Sequence, residues 1–358
     1  MSKIYQIYGD QAHAMTMALM EAADIASRIP SGASVALKPN LVVAARPESG
    51  ATTHAGVLSG AIEYLQAHGV RDISVIEGSW VGDRTDRAMR TAGYDKVCSR
   101  YGVPFYDLKR DQTRKVKTAI GDMPICCRAL DAGYFIDLPV LKGHCQTVMT
   151  CALKNLKGCL PDSEKRHFHT MGLHKPIGAL AAAFKPDLII TDSICGDLDF
   201  EEGGNPVHTG RMMLGFDAVQ MDAYGCQLMG LPLDDVPYIR YAEKWGAGST
   251  RIEPGDIVEL NAPHATAAYP PPSGMVARLT KNVQADRACS ACFASLVRAL
   301  HVAGNPSGTP IYIGQGWLGK QVDGLGIGRC ADCASRRVQG CPPSADAIVS
   351  ALTGSTEA

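Results

Sequence analysis

The sequence predicts an α/β fold, a mostly parallel sheet or sheets with helices on both faces, followed by a C-terminal cysteine-rich module of the kind that binds a cluster. Three observations carry that expectation. Short apolar runs alternate with helical periodicity along most of the chain. A proline-rich stretch at 261–274 interrupts the rhythm. After it, five of the 13 cysteines of this 358-residue chain fall within 53 residues.

The elements follow in order. Runs at 34–37, 72–76, 134–138 and 187–191 have the length and apolar content of buried strands, and 257–260, 275–279 and 310–313 are later candidates. Helical patterns occupy about 13–29, 54–69, 84–93, 147–157, 173–184 and 217–230, with Thr53 placed as an N-cap and Gly69 as a stop. Asp217 and Asp222 are suited to capping or packing. Residues 1–262 form the α/β part, as one domain or two lobes, with the substrate pocket; residues 275–358 form the module.

With 46% hydrophobic and 20% charged residues, the chain can offset its ordering entropy, which excludes disorder as the main state. Its 35 basic and 36 acidic residues leave a net charge of −1, so neither nucleic acid nor an anionic membrane is expected as a partner. The start, MSKIYQIYGD, has no apolar signal region, and the run at 177–184 is too short to span a bilayer, so a cytoplasmic protein is expected.

Eight cysteines are scattered (Cys98, Cys126, Cys127, Cys145, Cys151, Cys159, Cys195 and Cys226), several in apolar company, as small buried hydrophobes are. The other five form two C-x-x-C pairs, Cys289/Cys292 and Cys330/Cys333, plus Cys341. Two intervening residues let two thiolates reach one metal or cluster. The 37 residues between the pairs exceed the usual zinc-ribbon loop, and Pro342 after Cys341 suits a cubane ligand. One [4Fe–4S] cluster on Cys289, Cys292, Cys330 and Cys341 is therefore the leading cofactor, with Cys333 as the alternative ligand. Zinc and a redox dithiol remain open.

In open α/β sheets ligands lie beyond the carboxyl ends of the strands. Those ends here deliver Lys38 and Asn40, then Glu77, then Lys142 and His144, then Asp192. Lys154, Asn155 and Lys157 follow, and His167 and His169 alternate so that an extended segment would turn both one way. Lysines suit a small anion. Lys142, His144 and Lys154 are the expected catalytic groups; Lys38, Asn40, Glu77, Asn155, Lys157, His167, His169 and Asp192 are expected to bind substrate. The acidic, glycine-rich turn at 199–206 suits close backbone approach. No usual nucleotide-binding motif occurs.

Taken together, Leu37-Lys38-Pro39-Asn40, Glu77-Gly78, Leu138-Pro139 with Lys142-Gly143-His144, and above all Lys154-Asn155-Leu156-Lys157-Gly158 resemble the domain of unknown function 362 family over residues 34–250. The resemblance continues through Asp192, Gly203-Gly204 and Asp217 to Asp222. It implies an iron–sulfur centre protein and so favours iron over zinc. The family's appended module is ferredoxin-like with two cubanes; five cysteines here suit one. The expected function is an oxidoreductase passing electrons from one cluster to a small anionic molecule. The alternatives are a non-redox lyase or dehydratase using the cluster as a Lewis acid, and a non-enzymatic electron carrier or accessory factor. An electron-donor protein and a homodimer are the partners allowed for.

Overall fold

The computed structural model describes residues 3–264, 267–305 and 308–354; residues 265 and 266 of the expected linker lie outside them. Eight strands form the main sheet. From one edge to the other they are Ile257–Glu259, Ile4–Tyr8, Pro206–Gly215, Leu188–Asp197, Tyr134–Leu138, Val35–Pro39, Ile73–Glu77 and Phe105–Asp107. Every pairing is parallel except those of Pro206–Gly215, which runs antiparallel to both neighbours. The strands around Val35–Pro39 are apolar on both faces, and separate cores cover the two sides of the sheet.

Strand order reverses between Val35–Pro39 and Tyr134–Leu138. From the first of these the chain steps outward to Ile73–Glu77 and Phe105–Asp107; from the second it steps the other way to Leu188–Asp197. Such a switch point opens a crevice at the carboxyl ends. In register there, Lys38 lies opposite Asp137 and Pro39 opposite Leu138.

The C-terminal module has its own parallel sheet, in the order Val283–Ala285, Ile311–Ile313, Val322–Ile327, Ala334–Val338. The helix Ser290–Ala303 makes the crossover between the first two strands, and the helix Ala345–Thr353 shares its core. That core also takes in Phe200 and Cys145 of the first domain. Ser273 Oγ donates to Asp199 and Tyr269 OH meets Ser193 Oγ at 2.7 Å, so the described part of the linker is tied to the first domain.

Several expectations change. The 275–279 run is the helix Met275–Leu279, not a strand: Gly274 takes φ +60°, and Ser273 Oγ accepts from the Met275 N–H, a local start that outweighs one β-branched valine. Residues 147–157 divide into the strand Val148–Thr150 and the short helix Ala152–Asn155. Thr53 does not cap the helix Ala55–Ala67. Its hydroxyl donates to the Leu138 carbonyl, and the Asp192 carboxylate takes the His54 N–H at 2.7 Å. Gly69, at φ +81°, does stop that helix, and Asp217 caps Ala218–Leu228 by accepting from the Val219 and Gln220 N–H groups. Among the described residues no helix is long and apolar enough to cross a membrane.

Helices His174–Ala183 and Pro237–Lys244 meet through Gly178, where a Cβ would lie 2.6 Å from Tyr241 Cβ and 2.9 Å from the Ala242 nitrogen. Replacing glycine by alanine inside a helix ordinarily gains about 1 kcal/mol. Here overpacking outweighs that gain. Gly178→Ala is expected to lower stability by about 1–2 kcal/mol in urea denaturation; a variant as stable as the parent would show that the two helices can move apart.

Candidate functional site

At the switch point lies a small cavity of about 70 Å³. Its lining includes Lys38, Asn40, Glu77, Lys154, Asn155, Lys157 and His169 from the expected set, with Lys165, Arg166 and Glu201 beside them. Cys289 and Ser290 of the C-terminal module complete the wall, and Trp80, Val42 and Val81 give it an apolar side. Both domains therefore build it.

Charge compensation organises the polar side. Lys38 is fully buried at its strand end and donates to Glu77 Oε2 and to the Pro39 carbonyl, both at 3.0 Å. Glu77 also accepts from the Leu41 N–H at 3.2 Å and the Gly78 N–H at 2.7 Å. Burial by itself would push the Lys38 ammonium down; Glu77, aided by Cys159 and Asp137, outweighs it and holds the ammonium above its ordinary value. Asp137, across the strand pair, is pushed up to about 8 by burial, against the pull of Lys38 and of its hydrogen bond from Asn155 Nδ2 at 2.7 Å. The shift favours the protonated carboxyl, and Oδ2 is unpartnered among the described residues.

Lys154 donates to Glu201 Oε1 at 2.7 Å, and the second carboxylate oxygen lies 2.9 Å from His144 Nε2. That second contact is close but out of line for a hydrogen bond. His144 Nδ1 accepts the N–H groups of Gln146 and Thr147 at 3.0 and 3.1 Å, so the neutral ring carries its proton on Nε2, facing Glu201. Despite burial, His144, Lys154 and Lys142 hold Glu201 well below the usual carboxylate range. Its loop, 198–205, is clamped by Asp197, whose carboxylate accepts the N–H groups of Asp199, Phe200 and Asn205.

The structure sorts the sequence candidates. Lys142 does not line the cavity: its ammonium donates to the carbonyls of Ala51 and Glu201, which makes it a brace for the Glu201 loop. Asp192 also lies outside the lining; its carboxylate accepts from His54, through the N–H at 2.7 Å and Nδ1 at 2.8 Å. His167 and His169 do not point the same way, because Asp162–Met171 is a helix. His167 is exposed beside Glu164, whereas His169 is buried. Pro161 opens that helix and Asp162 and Glu164 occupy its first turn, favourable at the positive end of its dipole. The buried face also brings in Lys165, which donates to the carbonyls of Gly78 and Ser79. Lys165, Glu201 and Asp137 were not singled out in the sequence. The acidic turn at 199–206 signalled Glu201, and the basic run at 163–169 signalled Lys165.

His169 Nε2 lies 3.1 Å from Lys157 Nζ and accepts the Ser290 N–H at 3.4 Å. Gln146 spans the same junction, donating to the Ala288 carbonyl and accepting from Ser290 Oγ, both at 2.9 Å. This places Cys289, preceding the helix Ser290–Ala303, at the cavity wall. Cys289 is pulled down to about 6, first by a hydrogen bond from Cys292, with Lys157 contributing. Cys292 is pushed up by that bond and by burial, then by the charges of Cys289, Cys341 and Cys330; Cys330 is pushed up by burial, then by Cys289 and Cys341. The charges of these four thiols thus act on one another. Cys333 is exposed, its thiol against Asp332. Arg329 N–H donates to the Gly340 carbonyl at 3.0 Å, drawing the two cysteine loops together, and a Cβ on Gly328 would fill space 3.3 Å from Cys292 Sγ. Among the described residues no three His, Cys, Asp or Glu side chains converge closely enough to share a single metal ion. The scattered cysteines are free thiols, six of them buried.

Comparison with known proteins adds the following. The model of a family described as Domain of unknown function (DUF362) matches residues 35–227, more than half of the chain. A thylakoid-associated protein, sll1697, of a Synechocystis strain is 25% identical over 236 residues, covering 63% of this chain and 72% of that protein. Among solved structures, the lactate racemase apoprotein from Thermoanaerobacterium thermosaccharolyticum aligns with TM-score 0.45 and 12% identity over 63% of this chain and 56% of its own. A Thermotoga maritima protein aligns with TM-score 0.39 and 13% identity, over 66% and 59%. The chain thus spans somewhat over half the length of each of those two structures.

Burial pushes His144 down to about 4, with Lys154 acting in the same direction and Glu201 against it. The unfolded ring titrates near about 6.5, so as pH falls the unfolded chain takes up this proton first, and the stability that depends on a neutral His144 is lost progressively from about pH 6.5 toward 4. NMR of the His144 ring is expected to show no titration step between pH 8 and 5. A midpoint near the free value would mean that Nδ1 is open to protonation and that the Nε2–H tautomer is wrong.

Proposed function

The chain belongs to the family described as Domain of unknown function (DUF362), and from that premise we propose that it is an iron–sulfur oxidoreductase, passing electrons from one [4Fe–4S] cluster to a small anionic substrate. The observation that carries this reading is the presence of Cys289 in the wall of the lysine-lined cavity. A cysteine module with no part in the chemistry has no need to reach that wall.

Cys289, Cys292, Cys330 and Cys341 would hold the cluster. Four thiols whose charges act on one another, the first two at the start of a 14-residue helix and a glycine where a Cβ would crowd Cys292, are a donor set of the right chemistry. A cubane takes its thiolates at separate irons, which a loose neighbourhood accommodates; tetrahedral zinc needs all its thiolates drawn to about 2.3 Å from one point. When bound, such a cluster supplies single electrons at a potential tuned by its hydrogen bonds and burial.

The chain's own residues do the rest. The lining holds five basic side chains (Lys38, Lys154, Lys157, Lys165 and Arg166) against the two carboxylates Glu77 and Glu201, which favours an anion. Lys38 and Lys154 are positioned by their carboxylate partners. Asn155 is oriented by Asp137, and Asn40 sits beside it in the lining. Trp80, Val42 and Val81 give one side an apolar surface. His144 and Lys142 act at one remove, by holding Glu201 and its loop.

Anaerobically purified protein is expected to contain about four irons per chain and to show the broad thiolate-to-iron absorbance near about 400 nm. Cys330→Ser should lose most of that iron, and Cys333→Ser should keep it. Zinc in place of iron, or the opposite ranking of the two variants, would sink the assignment.

A further inference from the structure

The amines around the cavity are not equivalent. Lys38 is engaged by Glu77 and the Pro39 carbonyl, Lys154 by Glu201, and Lys165 by the carbonyls of Gly78 and Ser79. Lys157 differs from all three. Among the described residues no carboxylate pairs with it, and its near polar contact is an imidazole nitrogen, His169 Nε2 at 3.1 Å. The Ser290 N–H also points at that nitrogen, from 3.4 Å, so Nε2 holds the lone pair and the ring proton sits on Nδ1. Lys157 therefore faces a neutral imidazole, where its neighbours face carboxylates or carbonyls.

An amine becomes nucleophilic when it is desolvated or set beside other cations, and when a base can take its proton. Lys157 meets the first two of these conditions, and His169 Nε2, itself held well below its ordinary value by burial and by Lys157, is the nitrogen placed to relay the proton in passing. Its ammonium is pushed down to about 7, first by burial and next by Lys154, with Lys165 adding to the effect against the opposing pull of Glu201 and Cys289. Trp80, Val42 and Val81 line the same cavity, and Arg166 is exposed where it contributes to the lining.

We propose that Lys157 is a nucleophile that forms an imine with the carbonyl carbon of a small 2-oxo acid, with His169 moving the protons. A volume of about 70 Å³ corresponds to roughly five water-sized probes, enough for a molecule of a few heavy atoms. The carbonyl meets Nζ, and the carboxylate answers the positive charge of Lys165 and Arg166, which neither Glu77 nor Glu201 pairs with. In the step itself, the Nζ lone pair attacks the carbonyl carbon, a C–N bond forms and the C=O opens to a carbinolamine. The two hydrogens leave the nitrogen for the oxygen, relayed by His169 Nε2. The C–O bond then breaks and one water departs. No oxidant or reductant is consumed. The proposal rests on the cavity being the substrate site, as in the function proposed above, but needs no electron transfer.

The test is trapping on the full-length protein: incubation with pyruvate, reduction with sodium borohydride, and peptide mass spectrometry. At pH 7 an ordinary lysine is almost wholly protonated, so an irreversible adduct is expected on the Lys157 peptide at least about tenfold faster than on any exposed lysine. Lys157→Arg keeps the charge and should abolish the adduct. His169→Gln should slow it by about a hundredfold, the usual size of a lost proton-transfer group. Acetaldehyde, lacking the carboxylate, should trap more slowly than pyruvate. An unmodified Lys157, labelling spread evenly over surface lysines, or equal trapping of both probes would overturn the proposal. An adduct on protein that binds no iron would support it while ending the redox reading; iron-loaded protein that forms no adduct would do the reverse.

Discussion

An ammonium ion taken out of water must be answered by something else, and that requirement shapes this end of the molecule. Lys38, Lys142, Lys154 and Lys165 are buried, and Lys157 is half-buried among them. An uncompensated charge in such a place would cost several kcal/mol. The five lysines receive three kinds of answer: a carboxylate for Lys38 and Lys154, carbonyls for Lys142 and Lys165, and an imidazole for Lys157. Local features follow from these pairings. Gly158 is glycine where a Cβ would run into Glu77 and come within 2.8 Å of Lys38 Nζ. Gly143 is glycine where a Cβ would overlap the Leu198 carbonyl of the loop that delivers Glu201.

The same requirement joins the two domains. Glu201 sits on a loop whose next residues meet the C-terminal module: Phe200 packs in its core and against His301, and the Gly203 carbonyl accepts from Arg298. On the other side of the cavity, His169 and Gln146 hold Ser290. The groups that settle the lysines thus also seat the cysteine helix. A small movement of the module would alter the cavity wall as well as the position of the thiols.

Much of the site could be read from the chain because it lies at strand ends, which alternating apolar and polar runs mark well. Lys38, Asn40 and Glu77 end their strands, and Lys154, Asn155 and Lys157 share one short helical segment, where three- and four-residue spacing keeps side chains near one another. The fold was less legible where local signals were weak. Val322–Ile327 holds two glycines and Ala334–Val338 two arginines, so neither reads as a strand until it has a partner. Pro206–Gly215, the one reversed strand, was hidden behind the turn that begins it.

Periodicity, spacing and residue type are local properties of the chain, so the α/β class, the family and most of the residues that line the cavity were legible in it. Tertiary structure alone decided which lysines brace and which face the cavity. Lys142 and Lys157 are alike as residues, yet one is spent on two carbonyls 59 and 91 residues away in sequence and the other meets His169. It likewise decided that Glu201 and Lys165 line the cavity and that Asp192 does not, since an electrostatic environment is a sum over groups that only folding brings together.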